Sequence, residues 1–369
     1  MINVSLSTNE KNEEQVFTLL RINSENELPL FYLAPVDNIG TEYLRLKTEN
    51  NHFKIDKSNG KINEPKDSLQ SKLDSLYLDW IQSEQSGIEE RNHMKFTIKN
   101  FKCFIDTKIS MNRLTVLTGV NGSGKSSFIQ SILLLRQLVA FAKDNPKGDI
   151  PDYSILLNEQ YLLALGDSSD ILSNNASDNN ISFAFVNDKT NEILCYAQFV
   201  ADNLDPTSAL PVIFEKSMIN NQDCPICRRE FYYLNAERLG PRIRQELKYF
   251  SYLHTGWQGE YTAQLINLNG GFHKIEESRK FPNSQNPLLL TFQISDWLDF
   301  LLPGTQIFAT SNSETMASQI RFENSFTRQH PTLAANMGLG ISYVLPILAT
   351  GLIAEAGALF LVENPEAHL

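Results

Sequence analysis

The octapeptide Gly119-Val120-Asn121-Gly122-Ser123-Gly124-Lys125-Ser126 constrains this chain more than any other stretch. It satisfies G-x-x-x-x-G-K-[ST] in full. Its flanks fit as well. Residues 114–118 form a short apolar run of β-formers, and "SSFIQSILLLRQLVAFA" after it has helical periodicity. A glycine-rich loop between a strand and a helix has a physical purpose. Glycines let the backbone curl so that successive N–H groups point inward at an anion. The helix adds the free N–H groups of its first turn. Lys125 can neutralise the β- and γ-phosphates of a nucleotide, and the Ser126 hydroxyl suits Mg²⁺. Gly119, Asn121, Gly122, Ser123, Gly124 and Ser127 complete the expected cradle. The competing reading, a chance glycine-rich turn, is disfavoured by the full match in the right context.

Residues 359–369, "LFLVENPEAHL", supply a second half. The four apolar residues read as a fully buried strand. Glu363 follows at its carboxyl end, where ligands sit in open α/β sheets, and is placed to reach Mg²⁺ directly or through water. Asn364 and Glu366 come next, where hydrolysis needs a general base or a group that positions water. The plainer alternative is an acidic surface turn after a core strand. A third stretch, "NMGLGIS" at 336–342, reads as a glycine-rich entry to a helix with Ser342 in its first turn. It is either an ordinary helix start or a second phosphate-facing element. As the latter it makes most sense facing a nucleotide held by another subunit.

Composition bounds the alternatives. The 369 residues carry a net charge of −11, against a wholly basic nucleic-acid binder, although a local basic face stays open. Arg238, Arg242, Arg244 and Lys248 in "NAERLGPRIRQELKYF" place positive charge near an expected helix start; an ion-paired or solvated face is the plainer reading. Four cysteines are too few for a disulfide scaffold, and the polar N-terminus reads as no signal peptide; both suggest the cytoplasm. The apolar stretch 341–362 contains Pro346, Gly351, Glu355 and Gly357, so it reads as a buried helix, a turn and a buried strand, and no membrane partner is expected. The "CPIC" knuckle, Cys224 to Cys227, could supply two zinc ligands, but a closed site needs four. His254 and His273 have no spacing relation to it. Free thiols in a turn, a Zn²⁺ shared by two chains, and a redox-sensitive thiol beside Arg228 and Arg229 all stay open.

Two regions are expected. Residues 1–92 are polar with short apolar patches and read as a small strand-rich module ending in a helix near 67–82, with a linker at 83–93. Residues 93–369 read as an α/β domain. Strands are expected at "MKFTIKNFKCF", "ISFAFV", "EILCYAQFV", "EFYYLN" and "QIRFENSFT", and helices at "PRIRQELKYFSYL" and "ISDWLDFLL".

These motifs together resemble an ABC-type AAA ATPase head of the SMC, RecF and OLD-nuclease group. "IKNFKCF" resembles the strand-turn of such heads, "TGVNGSGKSS" their Walker A form, and "GLGIS" a degenerate signature. "LFLVENPEAHL" and "YLNAERLGPR" are similar to segments of a bacterial subfamily, several of whose members are associated with phage defence. The resemblance covers roughly 94–369.

It implies a P-loop NTPase α/β fold, with a mixed, parallel-rich core sheet and an antiparallel strand layer. It implies ATP and Mg²⁺ bound by Lys125, Ser126 and Glu363, and a head-to-tail homodimer in which Ser342 contacts the γ-phosphate of the opposite subunit. An effector protein or nuclease, and DNA, are the further partners it suggests. Two departures accompany it. Asn364 occupies the position of the usual catalytic glutamate, so Glu366 is expected to serve instead or turnover to be slow. The elements that follow "EAHL" in the family are not in the chain, so a longer protein or a partner polypeptide is expected to supply them. Two functions follow: a hydrolysing ATPase, or a nucleotide-gated scaffold that regulates an effector without turnover. No carboxylate cluster in the sequence supports a nuclease within it.

Overall fold

Alternation of apolar and polar side chains proposes strands; a neighbour's hydrogen bonds decide which of them form. The computed structural model describes residues 45–49, 52–56, 94–144, 153–201, 206–213, 217–219, 221, 223–324 and 330–367. The chain divides into two compact units, Met1–Arg91 and Asn92–Leu369. In the first, Arg45–Glu49 (β1) pairs antiparallel with His52–Asp56 (β2). The helix expected near 67–82 and the apolar patches of that region lie outside the described residues.

The second unit opens on Met94–Phe101 (β3) and Phe104–Met111 (β4), followed by the helix Lys125–Asp144 (α1). Ser154–Leu156 (β5), Asn180–Asn187 (β6), Ile193–Val200 (β7) and Ala209–Pro211 (β8) come next. An antiparallel sheet has the order β4–β3–β6–β7. Its inward positions recur at every second residue: Phe96 and Ile98 on β3, Ile181, Phe183 and Phe185 on β6, Cys195, Ala197 and Phe199 on β7. The expected β6–β7 turn "NDKTN" forms because the Asn187 side chain accepts from the N–H groups of Lys189 and Thr190, at 2.9 and 3.2 Å.

Helix α1 packs on this sheet, with the Phe128 ring edge-on to Phe96 at 5.6 Å. It is buried almost all round from Phe128 to Val139. Its longer buried polar side chains reach backbone partners on neighbouring segments. Gln137 pairs with both backbone groups of Leu156 and docks β5, at 2.9 and 3.1 Å. Arg136 donates to the carbonyls of Ile226, Arg228 and Arg229.

Phe231–Leu234 (β9) runs parallel to Leu359–Val362 (β14), register Leu359 to Phe231 through Val362 to Leu234. Every residue of β9 is buried, because its two faces serve different cores. Phe231 and Tyr233 join the core formed by α1 and the first sheet. Tyr232 joins a second core. That core lies under the helices Leu290–Leu301 (α2) and Leu339–Ile353 (α3) and a sheet of Gln245–Glu246 (β10), Gln306–Asn312 (β11), Ala317–Glu323 (β12) and Thr332–Leu333 (β13). The order there is β10–β12–β11, with β13 also on β12. The stretch 341–362 is α3, a turn with Gly357 at φ +78°, and β14. Among the described residues no helix is long and apolar enough to cross a membrane.

Three expectations are corrected. Residues 114–118 form no strand: no described strand bonds to this run, and Leu114 and Val116 stand 60% and 40% exposed. Strand propensity is not expressed without a ladder partner. The helix expected from Pro241 is also absent. Its residues run extended instead, because β10 pairs with β12 and Gln264 brackets both backbone groups of Lys248. Finally, Leu361 alone of β14 is buried, and among the described residues parallel pairing is confined to β9–β14. The parallel core is narrower than the sequence suggests.

The contrast between α1 and the 114–118 run is measurable. Leu134→Ala should cost about 2–5 kcal/mol in denaturant unfolding, as a fully buried leucine. Leu114→Ser should stay within about 0.5 kcal/mol of the parent. Equal costs would contradict the described packing.

Candidate functional site

The glycine-rich loop is shaped by its backbone. Gly122 and Gly124 sit at φ +80° and +94°, which side-chain-bearing residues rarely adopt. Gly124 also has no room. A Cβ there would lie 2.8 Å from Cys103 Sγ and 3.1 Å from the Phe104 ring, on the turn between β3 and β4. The turn is held in place from two sides. Buried Asn100, at φ +56°, donates to Asp178 and to the Asn180 carbonyl, at 3.2 and 2.9 Å. Lys102 reaches Gln130 of α1 at 2.9 Å. The "NFKCF" turn therefore backs the loop, and Ser123 N closes it on Val120 O at 3.2 Å.

Helix α1 begins at Lys125, directly on this loop. The Lys125 ammonium lies over the loop and donates to the carbonyls of Gly119 and Val120, at 2.7 and 3.0 Å. An ammonium has three protons, so one remains for an anion. Asn121, Gly122, Ser123 and Ser126 are exposed, while Gly124, Lys125 and Ser127 are half-buried. The loop thus presents its backbone and one cation at the N-terminus of a long helix.

Glu363 comes to the same place. Its N–H continues the parallel ladder to Leu234 O at 2.9 Å, so the carboxylate leaves the end of β14 in a defined direction. Tyr233 Oη donates to Glu363 Oε1 at 2.9 Å, and Asn235 Nδ2 donates to Tyr233 Oη at 2.9 Å. The Ser126 hydroxyl lies near the same carboxylate and favours its charged form. Burial pushes the Glu363 carboxyl above the usual range, and the hydrogen bonds from Tyr233 and Ser126 oppose the shift. The loop serine and the strand-end acid, 237 positions apart in sequence, therefore come to one place.

A buried arginine fixes the turn that follows. Arg238, 3% exposed, donates to the carbonyls of Asn235, Glu363 and Asn364, at 3.1, 2.7 and 2.6 Å. Its guanidinium lies 5.4 Å from the Tyr343 ring of α3. Asn364 takes φ +45°, and Ala367 N closes the turn on Asn364 O at 3.1 Å. The side chains of Asn364 and Glu366 are exposed. Arg238 is thus no part of a basic surface stripe; Arg242, Arg244 and Lys248 alone of that group are exposed. Sequence reading missed Tyr233 and Asn235. Their only signal is that "YYLN" ends a strand whose partner ends in an acid.

Ser342 stands apart. It is half-buried in the first turn of α3 and lines a narrow cleft with Leu239, Gly240 and Arg242, to which no residue of the glycine-rich loop contributes. Cys224 and Cys227 lie in the first core with Cys195. His254 is elsewhere, in an aromatic-lined cavity of about 290 Å³ beside β9; burial, and then Lys248, pull its imidazole down to about 4.

The raised Glu363 carboxyl has a signed consequence. The folded state holds its proton to higher pH than the unfolded state, so stability falls as pH rises through the folded value. Glu363→Gln should therefore unfold at a higher temperature than the parent at pH 7. The difference should vanish below the ordinary glutamate range of about 4.3. A less stable variant at pH 7 would contradict the placement of this group. Arg238→Met should cost about 1–3 kcal/mol for each carbonyl left unpaired, read by urea unfolding.

Among known proteins, no curated protein matches the chain. Residues 94–293 match the AAA ATPase domain, a span that holds the glycine-rich loop, α1 and β9 but ends before Ser342 and Glu363. This accounts for the glycine-rich loop at the start of α1 as part of a P-loop NTPase α/β fold that binds ATP, and the chain belongs to the AAA ATPase domain family.

Proposed function

We propose that this protein binds ATP with Mg²⁺ and hydrolyses it, as an ABC-type P-loop ATPase working as a nucleotide-dependent homodimer in the cytoplasm. One observation carries the reading: the Ser126 hydroxyl at the start of α1 lies near the Glu363 carboxylate at the end of β14, which Tyr233 holds. Both are hard oxygen donors, the kind Mg²⁺ takes. When bound there, Mg²⁺ would neutralise charge on the β- and γ-phosphates.

The residues divide the remaining work. Backbone N–H groups of the loop and of the first turn of α1 would hold the phosphates. Lys125 would turn one ammonium proton toward the β–γ bridge while keeping its hold on the loop carbonyls. Tyr233, itself held by Asn235, fixes one oxygen of the Glu363 carboxylate and would leave the other for the ion. Arg238 fixes the turn after β14, from which the exposed Glu366 would accept the proton of the attacking water. Ser342 would reach the γ-phosphate of the second subunit. Because Arg238 rests on Tyr343 of α3, closure of a dimer at Ser342 would be felt at the Glu363 turn. DNA, an effector protein or nuclease, and a role in phage defence rest on the resemblance of the motifs alone.

A second reading has its own observation. Asn364 is exposed at the expected position of a base, with its carbonyl taken by Arg238, and an amide cannot accept a proton there. The protein would then be a nucleotide-gated scaffold that dimerises on ATP and regulates a partner without turnover.

Lys125→Ala should weaken ATP binding roughly ten- to a hundredfold, by loss of a charged hydrogen bond, in calorimetric titration. Unchanged affinity sinks both readings. Phosphate release then separates them. Release by the parent, lost in Glu366→Gln with ATP affinity retained, selects hydrolysis. Background release from both, with dimerisation on ATP, selects the scaffold.

A further inference from the structure

Away from the nucleotide site, three of the four cysteines converge in the first core. Cys195 points inward from β7, while Cys224 and Cys227 bracket a tight 3₁₀ turn, Pro225–Cys227, immediately before β9. Their sulfur atoms all lie within 4.8 Å of one another. Cys195 and Cys224 are fully buried and Cys227 is 1% exposed. The turn is a regular knuckle: Cys227 N bonds to Cys224 O at 2.9 Å and Arg228 N to Pro225 O at 3.2 Å. The C-x-x-C spacing alone gives two ligands. The fold brings the third from a different sheet strand, some thirty positions earlier in the chain.

A cation is built in beside them. Arg136 of α1, 6% exposed, donates to the carbonyls of Ile226, Arg228 and Arg229, so it grips the knuckle itself. Its Nε is buried with no hydrogen-bond partner. A guanidinium in an apolar core is costly unless it answers a negative charge. Among the described residues no carboxylate joins the sulfurs in the cluster. Charge from Lys143, on the same helix, also bears on the Cys227 sulfur. The cations facing the sulfur are thus Arg136 and Lys143. Arg228, expected to act on the thiols, instead reaches the Ala356 carbonyl, and Arg229 pairs with Glu230.

We propose that Cys195, Cys224 and Cys227 form a three-thiolate structural site for a thiophilic divalent ion, Zn²⁺. Three thiolates and one Zn²⁺ leave a single negative charge, which Arg136 balances. Zinc takes four ligands, and the Ile219 carbonyl, 3.3 Å from Cys227 Sγ, lies at the cluster as a further donor. A disulfide would use two sulfurs and leave the third beside it. The consequence is mechanical. The ion would tie β7 of the antiparallel sheet to the knuckle that leads into β9, and through Arg136 to α1. Metal loading would therefore contribute to the fold that carries the nucleotide site.

The test is metal analysis of the whole chain, purified without a histidine tag or chelator under reducing conditions. One zinc per chain by elemental mass spectrometry is expected, released by a mercurial thiol reagent. Co²⁺ added to the metal-free chain should give sulfur-to-cobalt charge-transfer absorption with the intensity of three thiolates. Cys195→Ser, Cys224→Ser and Cys227→Ser should each lose the ion, and exposed Cys103→Ser should keep it. A parent chain with substoichiometric zinc and no charge-transfer band overturns the proposal without reference to any variant. So does a Cys195→Ser chain that keeps full zinc, or a native Cys224–Cys227 disulfide in the mass of the protein isolated under thiol-trapping conditions.

Discussion

The Glu363 carboxylate is the hinge of this structure. It is held by Tyr233 from β9 and lies near Ser126 at the start of α1, while Arg238 fixes the backbone on its C-terminal side. Each partner comes from a different element, so the cluster exists only if β9, β14 and α1 are all in place. The parallel register of β9 and β14 sets where the acid emerges. The "NFKCF" turn behind Gly124 sets where the serine emerges. A carboxylate kept half-buried and raised toward neutrality is costly for the fold, a common mark of a functional group.

The same economy recurs in the two buried arginines. Arg136 and Arg238 each donate to three backbone carbonyls of a tight turn. A lysine could not span such a set, because its point charge lacks the planar fork. Arg136 secures the cysteine knuckle to α1, and Arg238 secures the Glu363 turn to β9 and rests on α3. Between them they join the two cores across the buried strand β9, whose alternate side chains face opposite ways.

Much of this was legible in the sequence. The phosphate loop, α1, the strands β3, β6, β7, β9 and β12, the helices α2 and α3, and the strand ending at Glu363 follow from period and turn chemistry. Residues 114–118 did not follow, since a run of β-formers is only half of a strand and the other half is a neighbour. The segment after Pro241 did not follow either. Its charged residues suit a helix, but Gln245, Leu247 and Lys248 are committed to tertiary hydrogen bonds, with Ala263 N, Met316 O and the Gln264 side chain. Tyr233 and Cys195 were invisible for a single reason: each acts on a residue tens to more than a hundred positions away, and spacing carries no trace of such pairs; Asn235 acts only through Tyr233.

The central claim is that Ser126 and Glu363 belong to one nucleotide site. A double-mutant cycle of Ser126→Ala and Glu363→Gln, read as Mg²⁺-dependent ATP affinity by calorimetry, tests it most directly. The account predicts strong coupling, well above the ~0.3–0.5 kcal/mol within which independent sites add. Losses that simply add would contradict it.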